Sequence, residues 1–302
     1  MIFSIVTDTL GCGEDFEASL RQAAALGFAH VDLRNKLNGY NVNTLPQAEA
    51  VRMKKQIDEL GLKVTCITSS AVNAFYNDDG PLNYDIYDEQ HHEAAGVALN
   101  QLFDMADIFD TKHVRVYSLI RPEGFETLSE EEKEAIYRQN ASVMRRHAIH
   151  AEQRNKTLLC ENEPPTLSNN ARELGRLVKA VNHPHFRINW DIMNGWKAGE
   201  YPNLEAYEHV KGYVMQTHLK GARKLEGSVS EQYPYGQLDN FTIADQDGFD
   251  HATLLQAIVR HDPDAVMTID THYHWFDPED QVGEVEVIRR TKVHLERELS
   301  RG

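Results

Sequence analysis

The sequence is poor in the features that would place a chain in a membrane, in an oxidising compartment or on nucleic acid. No run of about 18 apolar residues occurs, so no membrane-spanning helix is expected. The three cysteines, Cys12, Cys66 and Cys160, form no CxxC pair and are odd in number. That pattern suggests neither a disulfide framework nor a thiolate zinc site, and they read as reduced packing residues. Basic residues are scarce: Lys+Arg 31 against Asp+Glu 47 gives a net charge of −16, a field that repels a phosphodiester backbone, so no nucleic-acid partner is expected. The opening Met1-Ile-Phe-Ser-Ile-Val-Thr-Asp8 lacks the basic segment and long apolar stretch of a secretory leader, and a cytoplasmic protein is expected. No linker rich in Pro, Gly or Ser divides the chain, and Gly11-Cys-Gly13 is too short for the glycine-rich phosphate turn of a doubly wound open sheet.

What the chain does have is a repeated alternation of strand and helix. At 302 residues and 41% hydrophobic content it can bury the core of one large domain. Short apolar, β-branched runs recur at Ile2–Val6, Ala29–Leu33, Lys63–Ile67, His113–Tyr117, Thr157–Cys160, Phe186–Trp190, Tyr213–Leu219 and Ala265–Ile269. Segments of helical period lie between them, such as the one beginning at Phe16 and Ala48–Leu60, stopped by Gly27 and Gly61 in the place a helix C-cap favours. Ser129 with Glu132 has the form of a capping box, and Asp250 that of an N-cap before His251–Arg260. The longest irregular stretches, near Asn73–Asn83 and Lys224–Asp247, read as loops over one face. Eight strands alternating with helices predict an α/β fold, a single (β/α)8 TIM barrel over residues 1–302.

In such barrels the reacting groups sit where strands end. The last four strands end on Glu161-Asn-Glu163, Asp191-Ile-Met-Asn194, His218-Leu-Lys220 and Asp270-Thr-His272. Each residue alone has a bland reading, Asp191 as a helix N-cap and His218 as a hydrogen-bonded core residue. Together, Glu161, Asp191, His218 and Asp270 make a mostly oxygen set, which suits Mn²⁺ best, with Mg²⁺, Co²⁺ or Zn²⁺ as alternatives. His272 reads as an acid/base or as a structural hydrogen-bonding residue. Lys220 reads as a contact to a substrate carboxylate or as a partner of Glu163. Arg115, Arg121 and Arg223 read as contacts to an acidic substrate or as salt-bridge partners. Trp190, Trp196, Tyr273 and Trp275 read as walls for a sugar face or as packing.

Glu161-Asn-Glu163, Asp191-Ile-Met-Asn194-Gly-Trp-Lys-Ala-Gly199, His218-Leu-Lys220-Gly-Ala222 and Asp247-Gly-Phe-Asp250 resemble segments of the xylose isomerase-like TIM barrels, the group of sugar phosphate isomerases/epimerases. Leu26-Gly-Phe-Ala-His-Val-Asp-Leu33 extends a weaker likeness toward the second strand. The resemblance implies one divalent metal held by Glu161, Asp191 and His218 with Asp270 in the fourth place, Glu161 as one candidate base and Asp270 in the position of the second. It also implies a small sugar or sugar-acid substrate, contacted from Glu163, Asn194, Lys220, Arg223, Arg121 and Trp196, and it is compatible with a homo-oligomer. The chain departs from the family in two places: Asp270 stands where a glutamate is usual, and Gly221 where an aspartate often follows the lysine. Aspartate is one methylene shorter, which weakens the two-base relay of an epimerase.

The resulting expectation is a metal-dependent sugar isomerase or epimerase working through a stabilised enediolate. The alternative is a lyase, a dehydratase or decarboxylase of a keto-sugar acid. A DNA-cutting relative would need His and Glu ligands at earlier strand ends, which Ser4–Thr7, Asp32–Arg34 and Ile67–Ser70 do not supply. A sugar-binding protein without catalysis is a further reading, to be recognised by binding without proton exchange.

Overall fold

Short runs rich in Val, Ile, Leu and Thr become strands because their branched side chains fit a pleated surface covered on both faces. The barrel strands are β1 (Ile2–Val6), β2 (His30–Leu33), β3 (Lys63–Thr68), β4 (His113–Tyr117), β5 (Thr157–Glu161), β6 (Phe186–Asp191), β7 (Val214–Leu219) and β8 (Val266–Ile269). In this computed structural model they are all parallel and close in the order β1-β8-β7-β6-β5-β4-β3-β2. The expected (β/α)8 barrel is therefore present as one domain. The structure describes residues 1–72, 85–230, 244–245, 247, 249–271 and 283–300, with the backbone alone at 76–77, 80–81 and 238–239.

The helices are α1 (Phe16–Ala25), α2 (Gln47–Glu59), α3 (Glu89–Ile108), α4 (Glu130–Gln153), α5 (Ala171–Val181), α6 (Ile192–Lys197), α7 (Leu204–Val210), α8 (His251–His261) and α9 (Glu284–Ser300). Gly27 and Gly61 adopt φ of +75° and +68°, the left-handed conformation that ends α1 and α2. The capping box at Ser129 forms in full, with Glu132 Oε2 accepting from the Ser129 amide at 2.8 Å. Asp250 caps α8, its Oδ1 accepting from the Thr253 amide at 3.1 Å. Among the described residues, no helix is long and apolar enough to cross a membrane.

Three strands run one residue further than their apolar pattern predicts, β3 to Thr68, β5 to Glu161 and β6 to Asp191, and the last two extensions carry carboxylates. Glu161 and Asp191 are held by the ladder, Glu161 beside Asn189 and Tyr117, and Asp191 beside His218. Apolar periodicity cannot anticipate a carboxylate inside a strand, because the ladder is made by backbone. The same alternation turns Trp190, between Asn189 and Asp191, to the outside of the barrel. There it stacks on Tyr207 of α7 with ring centroids 5.9 Å apart, so its role is helix–barrel packing and not a pocket wall. Inside the barrel a polar layer replaces the apolar filling: Ser4, Asp32, Thr65, Asn189, Gln216 and Thr268 are all buried. Asp32 accepts from Ser4 Oγ at 2.9 Å and from the Thr65 hydroxyl and the Gln216 amide.

Candidate metal centre

The C-terminal ends of β5, β6 and β7 bring Glu161, Asp191 and His218 together, all buried. One ligand atom from each lies within 4.8 Å of the other two. His218 directs Nδ1 toward Glu161 Oε1 at 3.1 Å and Asp270 Oδ2 at 3.4 Å. Asp191 serves two purposes at once. Its Oδ1 accepts from the amides of Met193 and Asn194 at 3.0 Å each, capping α6, while Oδ2 faces Lys220 Nζ at 2.7 Å. The helix-cap reading and the metal reading thus use different oxygens of one carboxylate. Asn162 clamps this residue from both sides, accepting from the Asp191 amide and donating to its carbonyl, each at 2.9 Å.

The surrounding charges compensate one another. Arg115 lies 3.2 Å from Glu161 Oε2 and 4.1 Å above the Tyr117 ring, so it acts as a partner of the Glu161 carboxylate. Burial alone would raise the Glu161 carboxyl, but His218 and Arg115 outweigh it and hold the group at about 2. Burial opposes charge on His218 as well, yet Glu161 and Asp270 raise it. Lys220, buried between Asp191 at 2.7 Å and Asp270 at 3.6 Å, is likewise raised because these acids overcome its desolvation. It does not pair with Glu163, which is bound instead by Asn194 Nδ2 at 2.7 Å. Burial, then the nearby charges of Glu161 and Asp191, push Glu163 up to about 7.

Asp270 joins the cluster from β8's end but is gripped by Arg34, whose guanidinium nitrogens stand 3.0 and 3.2 Å from its oxygens. The same guanidinium forms a two-pronged pair with Asp8 at 2.8 and 3.0 Å. The sequence analysis did not assign Arg34 to the site. Its only signal was its place immediately after β2.

Other expected site residues are placed differently. Arg121 pairs with Glu126 at 2.7 Å and lies over the Phe125 ring, neither of which belongs to the ligand set. Trp196 is buried edge-on against Tyr201, with Phe249 beside it. Arg223 is exposed on a two-residue strand. His272, Tyr273 and Trp275 lie outside the described residues.

The donor set fits a divalent cation: two carboxylates and one imidazole, buried and convergent, with the negative charge of the carboxylates now balanced by Lys220 and Arg115.

Comparison with known proteins bears on the fold that carries this cluster. Among curated proteins, a 3-dehydroshikimate dehydratase of Bacillus anthracis is 24% identical over 120 residues, a match spanning 40% of this chain and 40% of that protein. Among solved structures, a xylose isomerase-like TIM barrel protein from Mycobacterium smegmatis in complex with magnesium superposes with a TM-score of 0.69 at 14% identity, over 99% of this chain and 96% of that one. The D-psicose 3-epimerase of Clostridium cellulolyticum H10, solved with D-tagatose, gives 0.70 at 15% identity over 99% and 98%. The model of the xylose isomerase-like TIM barrel matches residues 20–291, and the chain belongs to that family.

Proposed function

We propose that this chain is a divalent-metal-dependent enzyme that removes a proton beside the carbonyl of a small keto-sugar acid and completes the reaction with one base, as a dehydratase does. The observation that carries this reading is the engagement of Asp270 by Arg34. A carboxylate held by a guanidinium is a poor second base, so a relay between two opposed bases has little support here. Glu163 accepts from the neutral Asn194 amide, and with its carboxyl pushed up to about 7 it can take up a proton near neutral pH, so we assign it the role of base.

Glu161, Asp191 and His218 would hold the metal, which supplies Lewis acidity to steady charge developing on the substrate carbonyl oxygen. Glu163 receives the C–H proton, the C–H electron pair forms the new double bond, and the β-hydroxyl leaves as water by taking that proton. Arg34, Arg115, Lys197 and Lys220 stand among Asp8, Glu161, Glu163, Asp191 and Asp270. Adding a dication makes this set net positive, which favours an anionic substrate over a neutral sugar. The curated relative, a dehydratase of a keto acid, supports the same class.

Aldose–ketose isomerisation is the second reading, because it also needs one base and the same ligands. Proton NMR in D2O of the Mg²⁺-loaded protein with keto-sugar acids, ketoses and aldoses separates the two, with His218→Ala and Glu163→Gln as controls. Loss of water from a keto acid, abolished in both variants, is the expected result. Metal-dependent deuterium exchange giving an isomer without loss of water would replace the dehydratase by the isomerase.

A further inference from the structure

Asp270 lies just past the end of β8 with its side chain only 3% exposed, and the neighbours of its carboxylate are cations. Its backbone is fixed, the amide donating to the Leu219 carbonyl at 2.9 Å. The Arg34 guanidinium meets both carboxylate oxygens, Oδ1 at 3.0 Å and Oδ2 at 3.2 Å. Arg34 is itself tied down and cannot follow Asp270 to a new position. Asp8, beyond the end of β1, accepts from its Nε at 3.0 Å and from its Nη2 at 2.8 Å, a fork-on-fork pair. The Arg34 carbonyl accepts from the Val42 amide at 2.9 Å. Asp270 Oδ2 comes within 3.4 Å of His218 Nδ1, yet Asp270 is not one of the set Glu161, Asp191 and His218, whose ligand atoms all lie within 4.8 Å of one another.

Lys220 gives Asp270 a second task. Its Nζ lies 2.7 Å from Asp191 Oδ2 and 3.6 Å from Asp270 Oδ2, and the side chain is 1% exposed. A metal ion that takes the Asp191 oxygen deprives this ammonium of its nearer partner, and a buried charge left alone is costly. Among the described residues, Asp270 is the carboxylate that remains beside it. A carboxylate placed between a guanidinium and an ammonium stabilises both, and one that moved to the metal would strip both.

We infer that Asp270 is the counter-ion of Arg34 and Lys220 and not a metal ligand, and that Arg34 is the positioning residue that holds it off the cation. The site then takes its metal on three protein donors. An octahedral ion on three single-atom donors keeps about three positions for water and substrate, against about two on four donors. A substrate that binds through two oxygens therefore leaves room for a water. This rests on the reading of Glu161, Asp191 and His218 as ligands.

The test uses the full chain loaded with Mn²⁺ in water enriched in 17O, where electron–nuclear double resonance counts the waters on the ion. Wild type and Asp270→Ala are expected to show the same number. Arg34→Met, which releases Asp270, is expected to show one water fewer, and Arg34→Met combined with Asp270→Ala to return to the wild-type number. The count separates ligation from charge: either substitution shifts the Kd through the field of the site, but only a donor atom displaces a water. One water more in Asp270→Ala than in wild type, or an unchanged number in Arg34→Met, overturns the inference. The alanine variant decides even if the methionine variant does not fold. A wild type that binds no Mn²⁺ overturns the ligand reading itself, and this inference with it.

Discussion

Lys220→Met should destabilise the metal-free protein and enlarge its response to metal. Lys220 Nζ sits 2.7 Å from Asp191 Oδ2, and both side chains are only 1% exposed. Removing one partner of such a pair leaves a buried charge uncompensated, a loss of about 3–5 kcal/mol. At roughly 2 °C per kcal/mol for a chain of this size, the metal-free variant should melt about 6–10 °C below wild type. A divalent cation that uses Asp191 competes with the lysine in the wild type and meets no competitor in the variant. Saturation at 100 times Kd stabilises a protein by about 2.7 kcal/mol, and the lower Kd of the variant raises that figure at any fixed concentration. Differential scanning fluorimetry of both proteins, stripped with chelator and then titrated with Mn²⁺, measures both effects. Equal melting temperatures without metal, or equal rises with it, would refute the claim that Lys220 occupies a ligand oxygen.

Two further predictions concern the scaffold. Burial, followed by Arg146 and neighbouring histidines, pushes His147 in α4 down to about 4. The folded chain therefore keeps this ring neutral while the unfolded chain takes up a proton below 6.5. Its contribution, about 3 kcal/mol, is present above pH 6.5 and lost as the pH falls toward 4. Urea denaturation at pH 7 and pH 4.5 should show that drop in wild type and a smaller one in His147→Leu. Gly175, where α5 crosses α7, has no room for a methyl group: a Cβ there would overlap the His209 carbonyl. Gly175→Ala should cost about 1–3 kcal/mol in the same assay, through forced separation of the two helices.

The barrel was legible because strand and helix periods alternate along the chain, and because strand-end chemistry is confined by this architecture to one face. Glu161, Asp191 and His218 stood out for that reason. Contacts made by closure of the barrel were not legible. Arg34 reaches Asp270 across 236 positions, and Gln216 reaches Asp32 across 184, because closing the sheet through the β1–β8 pairing turns the interior faces and ends of β2, β7 and β8 toward one another. Lys220 lies beside Asp191 and not Glu163, a choice that depends on the Asn194 side chain claiming Glu163. Arg121 shows the converse. It follows a strand end as Arg34 does, yet local geometry gives it to Glu126.

The most direct test of the account is a titration of Mn²⁺ into the chelator-stripped chain, followed by loss of the free-ion electron paramagnetic resonance signal. The account predicts one bound ion per chain in the wild type and none at the same concentration in Glu161→Gln or His218→Ala variants that retain a cooperative melt. Binding undiminished in these variants, or absent from the wild type, would contradict it.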